Sequence, residues 1–154
     1  MDEINPYAPP KSDDTRPEPA AVGEAPAYKL YTPGQIFLAT FLGTPATGLY
    51  LLSANRRRIG HAGIATATLL VGIGATLLLL VLAVVLPDSI GRAASLGLTF
   101  VVWQYARADQ PLLDTHLARG GKQESSWKAV GLGLAGLVTV LGLLFAYVLV
   151  TGVE

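Results

Sequence analysis

The sequence predicts an all-α integral membrane bundle of four transmembrane helices behind a disordered, proline-rich N-terminal tail. Residues 30–55, 62–87 and 129–153 contain no Asp, Glu, Lys or Arg across 26, 26 and 25 residues. About 20 apolar residues rising 1.5 Å each match a hydrocarbon core of roughly 30 Å, and a small soluble domain has no interior for three such helices. Hydrophobic residues make up 51% and charged residues 14% of the chain, against about 25% charged in a soluble domain. The first 33 residues hold seven of the ten prolines and few large aliphatics, so they bury too little surface to offset ordering entropy.

The tail covers residues 1–32. It opens Met1-Asp2-Glu3 with no apolar run before Leu30, unlike a secretory signal, so the first apolar segment is expected to stay as a helix. The transmembrane domain covers 33–151. In Thr32-Pro33-Gly34-Gln35, Thr32 caps, Pro33 suits the first helical position and Gln35 completes a capping box. Helix 1 is placed at 33–54. Pro45, between Gly43 and Gly48, removes one backbone hydrogen bond and predicts a kink near mid-membrane, with Thr40, Thr44 or Thr47 re-satisfying the freed carbonyls. The bend is either purely structural or an unwound segment that lines a substrate path.

Helix 2 is placed at 62–86 and ends at Pro87-Asp88. Asp88 is a good N-cap for helix 3 at 89–106. That segment contains Arg92, which costs about 2.5–3.5 kcal/mol at a membrane centre on insertion scales. Arg92 lies one turn inside, where it snorkels to the headgroups with Asp88 as its i,i+4 partner. In the polar connection that follows, a short interfacial helix at 111–119 puts Leu112, Leu113 and Leu117 on one face with His116, closed by Gly120-Gly121. Helix 4 is placed at 126–151.

Four spans put residues 55–61 and 107–128 on one side. These carry Arg56, Arg57, Arg58, Arg107, Arg119, Lys122 and Lys128, against Lys29 and Arg92 near the other face. The positive-inside rule then places both termini outside the cytoplasm. The competing topology makes the proline-bearing first segment a re-entrant hairpin and brings the tail beside Arg56–Arg58. Tyr50, Trp103, Tyr105 and Trp127 fall at one interface, Tyr28, Tyr31 and Tyr147 at the other.

The chain has no cysteine, which excludes disulfides, thiolate metal sites, haem attachment and quinone-linked disulfide chemistry. No basic patch suggests nucleic acid, and no motif implies a cofactor. The helices carry hydroxyls but no His, Asp or Glu at membrane depth, which argues against intramembrane proteolysis and proton-coupled transport. His61 and His116 read as solvated interfacial residues, and the Asp114–His116 spacing does not suit a metal site on a helix. Arg56–Arg58 read as topology determinants that meet anionic headgroups. Small residues four apart (Ala39 and Gly43, Thr44 and Gly48, Gly91 and Ser95, Gly131 and Ala135) allow close helix packing within one bundle or a homo-oligomer through helix 4.

Asn5-Pro6-Tyr7-Ala8-Pro9-Pro10 resembles the Asn-Pro-Tyr-x-Pro-Pro opening of many bacterial membrane proteins. Gly43-Thr44-Pro45-Ala46-Thr47-Gly48-Leu49-Tyr50-Leu51-Leu52, followed by Asn55-Arg56-Arg57, is similar to a GxPxxG segment of small bacterial inner-membrane proteins. The resemblance implies a bacterial inner (plasma) membrane and no activity. Many proteins with the first motif keep it cytoplasmic, which weighs toward the re-entrant topology. The function expected is that of a non-enzymatic accessory or interaction subunit with the lipid bilayer as its surroundings. Asn5, Pro6, Tyr7, Pro9 and Pro10 then form a docking peptide, since extended proline segments lose little entropy on binding. The alternative is a small oligomeric transporter or channel with Thr40, Thr44, Pro45 and Thr47 lining its path.

Overall fold

Local capping chemistry fixes where the first helices start. The computed structural model describes residues 25–85 and 87–152. Lys29–Leu30 form β1, which pairs in parallel with β2 (Lys122–Gln123), Lys29 opposite Lys122 and Leu30 opposite Gln123. Helix α1 (Pro33–Leu42) starts at the expected capping box: the Thr32 hydroxyl accepts the Gln35 amide and the Gln35 side chain accepts the Thr32 amide. Twelve residues on, Thr44-Pro45 repeats the Thr32-Pro33 signal. Thr44 accepts the Thr47 amide and caps a second helix, α2 (Pro45–Arg58).

The single kinked helix expected at 33–54 is therefore two helices, folded back on each other. A continuous helix over these residues would hold Tyr31 and Asn55 more than ~30 Å apart. Instead the Asn55 amide clamps the Tyr31 backbone, donating to its carbonyl at 2.8 Å and accepting its N–H at 2.8 Å. Glycine makes the hairpin close: a Cβ on Gly48 would stand 1.7 Å from the Thr40 hydroxyl oxygen. The expectation that this segment passes from one end of the bundle to the other is corrected accordingly.

The remaining helices are α3 (Ala62–Val85), α4 (Asp88–Arg107), α5 (Gln110–Ala118) and α6 (Ser126–Thr151). At 1.5 Å per residue α3 and α6 are about 36 and 39 Å long. Both are long and apolar enough to cross a membrane, and only 17% and 6% of their apolar windows are buried. An apolar helix left so open is unlike the core helix of a soluble domain. Among the described residues two helices meet this standard rather than the expected four: the first segment is broken at Gly43-Thr44, and α4, with Arg92, Gln104 and Arg107 in 20 residues, falls short in apolarity. Helix α4 starts at Asp88 with Pro87 in the cap position, one residue before the expected start; the proposed Asp88–Arg92 pair involves a side chain outside the described ones.

The core lies at the end of the bundle that holds β1, β2 and α5. Ile36, Leu49, Leu51, Leu52, Val102 and Ala129 pack there. Helix α4 gives it Val102 and Ala106, and the buried Thr99 continues the same helical face toward the hairpin tip. Small residues do the packing within the chain: a Cβ on Gly43 would lie 2.5 Å from the Gly133 carbonyl, and one on Gly72 would lie 2.8 Å from Leu49. Gly131, expected on a homo-oligomer face of helix 4, meets nothing within 4 Å in its own chain.

Residues 25–32, expected in the tail, belong partly to this core, since Leu30 and Tyr31 are buried. They lie with Arg56–Arg58, while Gly152 ends α6 at the far end of the bundle. Residue 25 and residue 152, the ends of the described chain, thus lie at opposite ends of the bundle. Residues 1–24, including Asn5, Pro6, Tyr7, Pro9 and Pro10, lie outside the described residues.

Candidate functional site

Two polar regions stand out in a largely apolar molecule, one at the basic end and one at the hairpin tip. At the basic end Arg56 is turned inward by the last turn of α2. Its guanidinium donates to both Asp109 carboxylate oxygens at 2.9 and 3.2 Å and to the Thr68 and Tyr105 hydroxyls at 2.7 Å each. It also lies 4.5 Å above the Tyr105 ring. Helices α2, α3 and α4 and the turn before α5 are thereby joined through one side chain.

A second cluster is built around Glu124, which is buried between β2 and α6. Its carboxylate meets Arg58 at 3.3 Å and Lys128 at 3.1 Å. Burial opposes its charge, but the Lys128 hydrogen bond and the Lys128 and Arg58 cations outweigh that, so its carboxyl stays below the usual carboxylate range. The Gln35 side-chain amide donates to the Glu124 carbonyl at 2.8 Å and to the Ser126 hydroxyl at 3.1 Å. Arg58 also donates to the Lys29 carbonyl and stands 5.6 Å from the Tyr31 ring. Burial and the nearby Glu124 carboxylate raise the Tyr31 phenol above the usual tyrosine range.

The other predicted basic residues decorate this same end. Arg57 is exposed, Arg107 covers Trp103 at 4.9 Å, Arg119 ends α5, Lys122 lies in β2 and Lys128 serves Glu124. Tyr28 and Tyr31, expected at the opposite interface, lie here too. His116 departs from the expected solvated state: it is buried, stacks on Tyr28 with ring centroids 4.9 Å apart, and approaches the Lys122 carbonyl at 3.3 Å. His61 is exposed. Among the described residues no three His, Asp or Glu side chains are grouped to hold a metal ion.

At the hairpin tip the break between α1 and α2 opens a cavity of about 220 Å³ between the tip, the second half of α3 and the first half of α4. Its polar lining comes from Thr40, Thr44, Thr76, Ser95 and Thr99, its apolar wall from residues such as Leu79, Leu80 and Val140. Thr76 holds the tip in place by accepting the Ala46 amide at 2.9 Å. Pro45, expected at a kink within one helix, instead opens α2 at the tip, and Thr40 and Thr44 line the cavity. Thr47 instead faces α6, where a Cβ on Gly136 would lie 2.2 Å from its hydroxyl.

No family model, curated protein or solved structure matches this chain. Its two polar regions are therefore read from their own geometry. Sequence reasoning missed Asp109, Glu124, Asn55, Gln35 and Tyr105 as partners. The available signal was the scarcity of acids opposite a basic end: Asp109, Asp114 and Glu124 are the three acids between residues 107 and 128, and two of the three pair with the Arg56–Arg58 run.

Proposed function

We propose that the chain is a non-enzymatic integral membrane protein that acts as an accessory or interaction subunit and presents its N-terminal tail at its basic end. In this reading α3, α4 and α6 cross the bilayer and α1–α2 dips in from the basic side. Arg56–Arg58, Arg107, Arg119, Lys122 and Lys128 place that side in the cytoplasm of a bacterial inner membrane, together with the tail, and put the C-terminus outside. Helix α4 crosses with Arg92 near one end, able to snorkel.

The single observation that supports a docking role is the anchoring of residues 29–31. Strand pairing, the Asn55 clamp and Arg58 fix the chain at residues 29–31, so the point from which a proline-rich peptide departs is anchored beside basic residues. Deleting residues 2–24 leaves β1 and Tyr28 intact. Native-membrane crosslinking of the full and shortened chains tests the reading: loss of specific neighbours supports it, and an unchanged set of neighbours contradicts it.

A second reading, a path for a small solute, is favoured by the cavity at the hairpin tip. It assigns Thr40, Thr44 and Pro45 to the lining of that path. Flux into vesicles carrying the full chain, compared with a cavity-filled variant, tests it.

A further inference from the structure

The hairpin tip carries backbone groups that the fold leaves unpaired. In an uninterrupted helix the amides of residues 44, 45 and 46 would serve the carbonyls of Thr40, Phe41 and Leu42. Here Pro45 has no N–H, the Ala46 amide goes to Thr76, and the Thr44 amide makes no hydrogen bond among the described residues. Three of the five hydroxyls on the cavity lining have no hydrogen free to donate. The hydroxyl hydrogens of Thr40, Thr76 and Thr99 are committed to the carbonyls of Ile36, Gly72 and Ser95, and the Thr76 oxygen already accepts the Ala46 amide, so these hydroxyls offer the cavity no donor.

Unpaired backbone at membrane depth is tolerated where it lines a polar cavity, and this one is large enough. A volume of about 220 Å³ is far above the roughly 10–15 Å³ one water needs and approaches the lower end, about 300 Å³, of small-molecule sites. It is too roomy to cage a bare cation. Among the described residues no Asp, Glu, Lys, Arg or His lines it, so a charged solute would meet no counter-charge from them. An uncharged solute rich in hydroxyl donors fits both the carbonyls left open by the broken turn and the lack of charge, and Leu79, Leu80 and Val140 suit its carbon backbone.

We propose that the cavity between the α1–α2 tip, α3 and α4 binds a small uncharged polyol. The proposal rests on the solute-path reading for its placement in the membrane, and it can stand without transport. Glycerol is the probe. The full chain in lipid nanodiscs is examined by saturation-transfer NMR, and in vesicles by osmotic swelling with water and with glycerol. Two variants are compared: Ser95→Leu, which fills the cavity from its exposed side, and Thr99→Val, which removes a hydroxyl at nearly constant volume.

The proposal predicts a glycerol signal that falls at least fivefold in Ser95→Leu and at least twofold in Thr99→Val, each with wild-type helicity. Equal glycerol signals in all three chains overturn it. Water flux that depends on Ser95 without any glycerol contact overturns the polyol assignment and keeps the path. Glycerol binding without Ser95-dependent flux of either kind keeps the site and removes the path.

Discussion

Asp109→Ala tests the most connected side chain of the fold, because it strands the Arg56 guanidinium beneath Tyr105 and beside Thr68. Removing one partner of a buried ion pair costs about 3–5 kcal/mol. Asp109 keeps 22% of its side chain exposed against 8% for Arg56, so water can enter the vacated place, and the loss expected falls to or just below the bottom of that range, about 2–3 kcal/mol. Arg56→Ala also forfeits the Thr68 and Tyr105 bonds and should cost somewhat more, about 3–4 kcal/mol, on the scale of charged hydrogen bonds. Replacing both charges, as Arg56→Met with Asp109→Leu, leaves nothing stranded and should return to within about 1 kcal/mol of wild type. The cycle is measured by denaturant unfolding in mild detergent at neutral pH, followed through Trp103 and Trp127. Single losses below about 0.5 kcal/mol that add without coupling would refute the reasoning.

Asn55→Leu should cost about 1–3 kcal/mol, since it leaves the Tyr31 amide and carbonyl without their partner; limited proteolysis should then cut near residues 25–31 where the wild type resists. Gly48→Val should destabilise by about 3 kcal/mol, the upper range for overpacking, with partial recovery on adding Thr40→Ala, read as unfolding midpoints. For Glu124, the folded carboxyl lies below its ordinary value, so its contribution to stability is complete above the usual carboxylate range and is lost as pH falls through the lowered value. An acid titration of stability should therefore show a limb in that window that Glu124→Gln lacks.

Much of the helical content was legible. The capping box at Thr32 and Gln35 and the apolar lengths of α3 and α6 follow from local chemistry, and α5 falls within a residue of its predicted place. The hairpin was harder. In sequence Pro45 reads as a kink because it interrupts a charge-free run long enough to span, and membrane helices tolerate proline. The decisive local signal was Thr44 immediately before it: Thr-Pro opens a helix at residue 32 and does so again at residue 44. Gly48 then admits Thr40, a pairing visible only once the chain turns back.

The polar clusters were hidden for a different reason. Arg56, Arg57 and Arg58 are alike in sequence, yet the helix turns one inward, one to solvent and one toward Glu124. Which is which depends on the angle at which α2 leaves the hairpin and meets α3. Asn55 and Gln35 likewise find partners 24 and 89 residues away, beyond the reach of any local pattern. The cavity follows from the same cause, since a hairpin of 10 and 14 residues ends partway along helices of 24 and 26 and leaves space beyond its tip.

The re-entrant hairpin is the central claim, and side-specific labelling tests it most directly. The chain has no cysteine, so single substitutions Ala27→Cys, Arg57→Cys and Ser89→Cys can each be probed in sealed vesicles with a membrane-impermeant maleimide. The hairpin predicts that positions 27 and 57 react from the same side and position 89 from the opposite one. Reaction of position 27 from the side of position 89, with position 57 alone on the other, would contradict it.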